Sequence, residues 1–152
     1  MAGELNRFRR VLHVREVERG VTQSELGMKL REEENIVNSL DVIQTKRDSA
    51  LSEFCTGRET LVSPQQLWFE RQNIDIIEKT IEGGKARLAQ CRAEIEETKT
   101  ELIEKHRNVQ LMAHHVGKLK AREDKKVLAA EQRNLDDITT MRYLRNIHLG
   151  RV

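Results

Sequence analysis

Three of the five histidines, two cysteines and one basic run are the parts of this chain whose types and spacing could do chemistry. His106, His114 and His115 suggest a metal site. A helical metal centre needs ligands that converge, usually three or four residues apart. His114 and His115 are adjacent, so on a helix their side chains diverge by about 100°. No cysteine or carboxylate lies three or four residues from any of the three. Cys55 and Cys91 make neither a C-x-x-C motif nor a disulfide framework, and they fit a reducing compartment. No P-loop, G-x-G-x-x-G, H-E-x-x-H or G-x-S-x-G pattern occurs. No metal, cofactor or catalytic residue is expected. Glu94, Glu96, Glu97, Glu101 and Glu104 read as a solvated acidic face, with Glu101 and Lys105 at i,i+4 spacing. The run from Lys118 through Lys120, Arg122 and Lys125 to Lys126 could hold an anion, but Glu123 and Asp124 interrupt it. No aromatic residue is interleaved for base stacking. An acidic protein surface is therefore the expected partner of this run, and no nucleic acid is expected.

The elements that would position these residues are set by composition. The chain has 152 residues, 34% charged and 38% apolar, with one proline and 3% aromatics. A compact globular domain needs more aromatics and more turn residues. This mixture of Glu, Lys, Arg, Leu, Ile and Ala suits long helices and coiled coil. No run of 18 apolar residues could span a membrane, and Glu4, Glu16 and Glu18 argue against a targeting leader. A cytoplasmic chain is expected. Net charge is +2, too balanced for a dedicated nucleic-acid binder. It is distributed unevenly, however. Residues 1–20 carry five Arg against three Glu, and residues 118–152 carry nine basic against five acidic residues.

The clearest start signal is Val62-Ser63-Pro64-Gln65-Gln66-Leu67. Ser63 is placed to cap a helix, Pro64 takes its first position, Gln66 completes a capping box, and Val62 with Leu67 forms a hydrophobic staple. From there Leu67, Ile74, Ile81, Leu88, Ile95, Leu102, Val109 and Val116 recur every seven residues. Three residues after each comes a weaker seam: Glu70, Ile77, Gly84, Cys91, Thr98, Lys105, Met112 and Leu119. Such a repeat marks a helix supercoiled against a partner. The phase survives Gly83-Gly84, so the helix is expected to continue through them despite about 1 kcal/mol for each glycine. Upstream, Leu5, Phe8, Leu12, Leu26, Leu30, Ile36, Val37, Leu40, Ile43, Leu51 and Phe54 form a looser helical stripe, with Gly57 suited to a C-terminal cap.

The expected fold is all-α: two long helices forming an antiparallel coiled-coil hairpin with a C-terminal helical overhang, as one domain over 1–152. Helix 1 is expected over about 4–55, the turn over about 56–62 and helix 2 over about 63–148. Pairing outward from the turn sets Leu5 opposite roughly 114. Phe8, Leu12 and Arg15 fall beside 104–111, and Cys91 near Met28. Cys55 is then about 40 Å from Cys91 at ~1.5 Å per residue, too far for a bridge. Two paired helices offer no cleft to exclude water, so an enzyme is not expected. Beyond the pairing, Leu128, Leu135, Ile138, Met141 and Leu144 form an unpartnered stripe, with Arg133, Arg142 and Arg145 around it.

The run Phe8-Arg9-Arg10-Val11-Leu12-His13-Val14-Arg15-Glu16-Val17-Glu18 resembles the opening of FliJ proteins, of the flagellar type III export apparatus, which often begin F-R-x-x-L-x-x-R-E-x-E. Leu67-Trp68-Phe69 to Ile77-Glu78-Lys79-Thr80-Ile81-Glu82 looks like the start of their second helix. Glu131-Gln132-Arg133-Asn134-Leu135-Asp136-Asp137-Ile138 is similar to their E-Q-[KR]-x-L-D-[ED] pattern. The resemblance covers nearly the whole chain. It implies a non-enzymatic stalk like the γ subunit of rotary ATPases, whose terminal end enters the hexameric export ATPase. At that end the hairpin pairing sets Phe8, Leu12 and Arg15, and the arginine-ringed stripe supplies Leu135, Ile138, Met141, Arg142 and Arg145, as the residues expected to meet the ring. Asn73, Ile77, Thr80 and Gly84 would meet the cytoplasmic domain of the membrane export gate. Asn73 and Gly84 are smaller than the residues usual in that stripe. Export chaperones are further implied partners, and the inner-membrane base of the flagellum the implied place.

Three other readings stay open on the residues alone: the equivalent stalk of an injectisome, a coiled-coil protein associated with nucleic acid, and a scaffold that dimerises through the overhang.

Overall fold

A computed structural model describes residues 2–56 and 63–150. Two helices account for nearly all of them: α1, Ala2–Thr56, and α2, Pro64–His148. No strand occurs among the described residues. The fold is all-α, and the two helices pack against each other.

The start of α2 follows from its sequence. Ser63 Oγ accepts from the Gln66 N–H at 3.3 Å, and Ser63 O accepts from the Leu67 N–H at 3.3 Å, with Pro64 as the first helical residue. The proposed staple residue Val62 and the proposed cap Gly57 lie outside the described residues, as does the turn between them. At the other end, Gly150 takes a φ of +59°, a left-handed conformation that favours glycine. Its N–H donates to Ile147 O at 3.1 Å, and the Leu149 N–H donates to Arg145 O at 3.0 Å, so the last turn of α2 is closed by its own backbone.

The heptads of α2 are its buried stripe. Ile74, Ile81, Ile95 and Val109 are buried, and Leu67, Leu88, Leu102 and Val116 are half-buried. In the second seam Cys91 and Thr98 are buried, Ile77, Gly84, Lys105, Met112 and Leu119 are half-buried, and only Glu70 is exposed. The α1 stripe differs from the expected one. Leu30, Val37 and Leu51 are exposed. The inward positions instead run Leu5, Phe8, Leu12, Arg15, Arg19, Thr22, Leu26, Lys29, Glu33, Ile36, Leu40, Ile43, Arg47, Ala50 and Phe54, all buried or half-buried. The spacing alternates three and four throughout, so α1 keeps a heptad seam in which long polar side chains contribute their aliphatic stems.

The packing falls into two units. The unit Gly20–Glu104 has its core at Ile36, Leu40, Cys91 and Ile95, with Leu26 and Leu88 against it. Arg87 donates to Glu32 at 3.0 Å, Arg92 to Glu33 at 2.8 Å, and Lys29 Nζ to Thr98 Oγ1 at 2.9 Å. Gly84 faces Leu40 while Thr98 meets Lys29, so numbers fall along α1 as they rise along α2 and this pairing is antiparallel. Cys91 Sγ lies 3.7 Å from Lys29 O, next to the expected neighbour Met28. Burial pushes the Cys91 thiol above its usual pKa. Glu32, Glu33 and Glu94 act in the same direction, and Arg87 opposes them.

The other unit, Met1–Arg19 with Lys105–Val152, is antiparallel as well. Arg19 meets His106, and Phe8 meets His115. The Phe8 contact corrects the expected register, which set Phe8, Leu12 and Arg15 beside 104–111. The stagger is displaced along α2 by about one helical turn. Turn length limits which residues can face each other, but knobs-into-holes packing fixes the final axial position.

Candidate partner-binding surfaces

The residues with chemical potential are spread out. Arg19 Nη1 lies 3.2 Å from His106 Nδ1, so the guanidinium donates and that ring nitrogen accepts. His115 meets the Phe8 ring edge-on, with centroids 4.8 Å apart and planes at 78°. No group of three or more His, Cys, Asp or Glu gathers around a common point among the described residues. Cys55 is exposed and Cys91 buried.

The eight residues singled out at the terminal end separate into two groups. Phe8, Leu12 and Arg15 are half-buried on the seam of α1. Arg15 lines a shallow groove of about 220 Å³ with Asn108, Leu111, Met112 and His115. Leu135, Ile138, Met141, Arg142 and Arg145 are all exposed. They lie about 30 Å farther along α2, taking ~1.5 Å per residue from His115 to Leu135. Within this second group Ile138, Met141, Arg142 and Arg145 line a groove of about 420 Å³ with Asp137. The structure therefore brings each group together internally and leaves the two apart.

The last turns of α2 hold more than the single apolar stripe read from sequence. Tyr143, Leu144, Ile147 and Leu149 are exposed too, as are Val127 and Leu128. At about 100° per residue, Leu135, Ile138, Met141, Leu144, Ile147 and Tyr143 fall at successive directions around the helix, with no wide polar sector between them. Polar residues stand between them, yet such a segment has no single solvent face, and every one of these apolar side chains is bare. Reading only the i, i+3 stripe hid this sleeve; plotting every apolar residue of 135–149 by angle would have found it.

The second candidate set lies in the unit Gly20–Glu104. Asn73 and Thr80 are exposed, and the Thr80 hydroxyl donates to Ile76 O at 2.9 Å. Ile77 and Gly84 sit on the inner seam. A Cβ built on Gly84 would lie 2.5 Å from Leu40 Cδ2, so glycine allows a close approach to α1 there. Nothing lies within 4 Å of a Cβ built on Gly83. Both glycines border a groove of about 460 Å³, lined by Thr80, Gly83, Gly84 and Arg87 from α2 and by Asn35, Ser39 and Leu40 among others from α1. Two of the four residues, Thr80 and Gly84, thus border one depression, while Asn73 and Ile77 lie outside it. Trp68 and Phe69, stacked edge-to-face at 5.2 Å and both exposed, stand nearby in sequence at the start of α2.

Two antiparallel seams and a bare helical end frame the comparison with known proteins. A family model described as "Flagellar FliJ protein" matches residues 4–148, which includes nearly all of both helices. The chain belongs to the FliJ family. Neither a curated protein nor a solved structure matches it. FliJ-family membership makes it a structural component of the flagellar type III export apparatus. No helix among the described residues is long and apolar enough to cross a membrane.

Proposed function

We propose that this FliJ-family chain is the stalk of the export apparatus, working as a single element from 1 to 152, with the end of α2 enclosed by the hexameric export ATPase. The observation that carries the proposal is the bare sleeve of 135–149, whose apolar residues face every direction around one helix. A partner that touched one side would leave the others in water. A ring closes around all of them. Arg142 and Arg145 beside Ile138 and Met141 add charged contacts at the edge of an apolar anchor, the composition of a desolvated interface. The half-buried Phe8, Leu12 and Arg15 hold α1 against α2 and set the depth to which the sleeve projects.

In this reading the cytoplasmic domain of the export gate takes the start of α2. Asn73 and Thr80 offer exposed contacts, Ile77 is reachable at the seam edge, and Gly84 shapes the groove. Export chaperones are further partners, and the chain works at the cytoplasmic side of the inner membrane. No step of the reading needs catalysis.

Capture of the purified hexameric ATPase tests the proposal. Deleting 127–152, a segment exposed throughout its described residues, is expected to abolish capture while the helix content per residue stays unchanged. A triple substitution of Tyr143, Leu144 and Ile147 by Gln should weaken capture as well, because Tyr143 and Ile147 face away from the Ile138–Met141 groove and Leu144 lies at its edge. Full-affinity binding by the truncated chain would overturn the terminal-end assignment. Full affinity in the triple variant alone would reduce the enclosure to a one-sided contact.

A further inference from the structure

The basic run that looks interrupted in sequence is, Lys120 apart, continuous in space. Glu123 is half-buried and pairs with Lys126 at 3.3 Å. Asp124 falls about 240° around the helix from Lys118, at ~100° per residue, and so points to another side. What remains on one arc of α2 is Arg107, Leu111, His114, His115, Lys118, Arg122, Lys125, Ala129 and Arg133, all exposed. No acidic residue of 107–133 shares that arc. The cations recur at eleven-residue steps, Arg107 with Lys118 and Arg122 with Arg133, a period that barely drifts around an α-helix. The stripe therefore runs parallel to the helix axis for about 39 Å, at ~1.5 Å per residue. None of Arg107, Lys118, Arg122, Lys125 and Arg133 takes an ion pair among the described residues.

We propose that this stripe lies flat on an anionic lipid bilayer and adsorbs the chain to it without insertion. Three features of the stripe favour a bilayer over other anionic surfaces. It contains no Phe, Tyr or Trp and one large apolar residue, Leu111, so it lacks the anchors around which protein interfaces are built, and it offers a single strand only two imidazoles, of which His115 is already held against Phe8. An axial line of charges meets the winding phosphates of a duplex only where the two cross, whereas a plane meets it along its full length. Juxtamembrane lysines and arginines act independently on an anionic surface, so five of them suffice for reversible adsorption. The arrangement is separate from the apolar sleeve, and the inference does not rest on the stalk reading.

Sedimentation of the full-length chain with lipid vesicles tests it. Vesicles with about 30 mol% phosphatidylglycerol in phosphatidylcholine should bind the chain, pure phosphatidylcholine should not, and binding should fall as salt shortens the screening length. The variant Lys118→Gln, Arg122→Gln, Lys125→Gln removes three exposed, unpaired cations and should weaken binding about 100-fold, roughly fivefold per residue. A control of equal net charge, Lys46→Gln, Lys79→Gln, Lys85→Gln, should bind like the parent chain. Equal weakening in the control would reduce the stripe to net charge and overturn the proposal. So would failure to bind anionic vesicles, or tighter binding to a duplex DNA oligonucleotide than to vesicles at the same salt.

Discussion

Adjacent glycines in one helix should respond to the same substitution with opposite signs. Both Gly83 and Gly84 lie inside α2, where alanine is better than glycine by about 1 kcal/mol when nothing else changes. At Gly83 nothing lies within 4 Å of the added methyl, so Gly83→Ala should stabilise by about that amount. At Gly84 the same methyl would meet Leu40 Cδ2 at 2.5 Å and Cγ at 3.4 Å. Leu40 is 7% exposed and belongs to the core with Ile36, Cys91 and Ile95. Overpacking of this kind costs about 1–3 kcal/mol. Set against the propensity gain, Gly84→Ala should be neutral to about 2 kcal/mol destabilising, and the two variants should differ by about 1–3 kcal/mol. Urea unfolding followed by circular dichroism measures this as a shift in midpoint at constant slope. Trimming the neighbour is the stricter test. Leu40→Val should lose less stability in the Gly84→Ala background than alone, with a coupling of at least about 0.5 kcal/mol. Equal stabilisation by both alanines, with no coupling to Leu40, would refute the close approach of the helices at this point.

Other outcomes follow from the same packing. Ile95, 3% exposed at the centre of the Gly20–Glu104 core, should cost roughly 2–4 kcal/mol on change to Ala, measured by urea unfolding; a loss below about 0.5 kcal/mol would mean the seam is misassigned. Cys55 should react with a maleimide in the native protein, while buried Cys91 should react only as the chain unfolds. The Cys91 thiol is raised above its ordinary 9.0 in the folded chain. Its contribution to stability is therefore fully present below the unfolded pKa and is lost as pH rises through the folded one. Replacing Cys91 with Ser should flatten that alkaline decline in an unfolding titration.

The two helices were not equally legible in the sequence. In α2 the seam stands out because aliphatic residues hold eight successive heptad positions, and Gly83-Gly84 changes neither phase nor continuity. In α1 the seam passes through Arg15, Arg19, Thr22, Lys29, Glu33 and Arg47, residues that hydropathy counts as solvent-facing although their stems pack inward. Leu30, Val37 and Leu51 drew the stripe to the wrong side for the same reason. Spacing alone, alternating three and four from Leu5 to Phe54, would have recovered it. The register was misplaced by about a turn because turn length does not fix axial stagger. At the surfaces, linear reading concealed two arrangements. It reduced an all-round apolar sleeve to one stripe, and it broke a spatially continuous basic line at Glu123 and Asp124.

The interhelical contacts also carry an order of assembly. Glu32 and Arg87 are separated by 55 positions along the chain, Lys29 and Thr98 by 69, and Arg19 and His106 by 87. Closing each larger loop adds little entropy once a smaller one has closed, since that penalty grows only with the logarithm of length. Folding can therefore advance as a zipper, each new contact lengthening the paired stretch by one turn. A ribosome delivers α2 in the same direction, from the residues that pair first to those that pair last. Each turn of α2 can thus dock on a waiting segment of α1 as it emerges. The final stretch finds no such segment among the described residues, so the chain leaves synthesis with the apolar residues of 135–149 still unshielded. How long it survives before meeting another protein is then a matter of concentration and time.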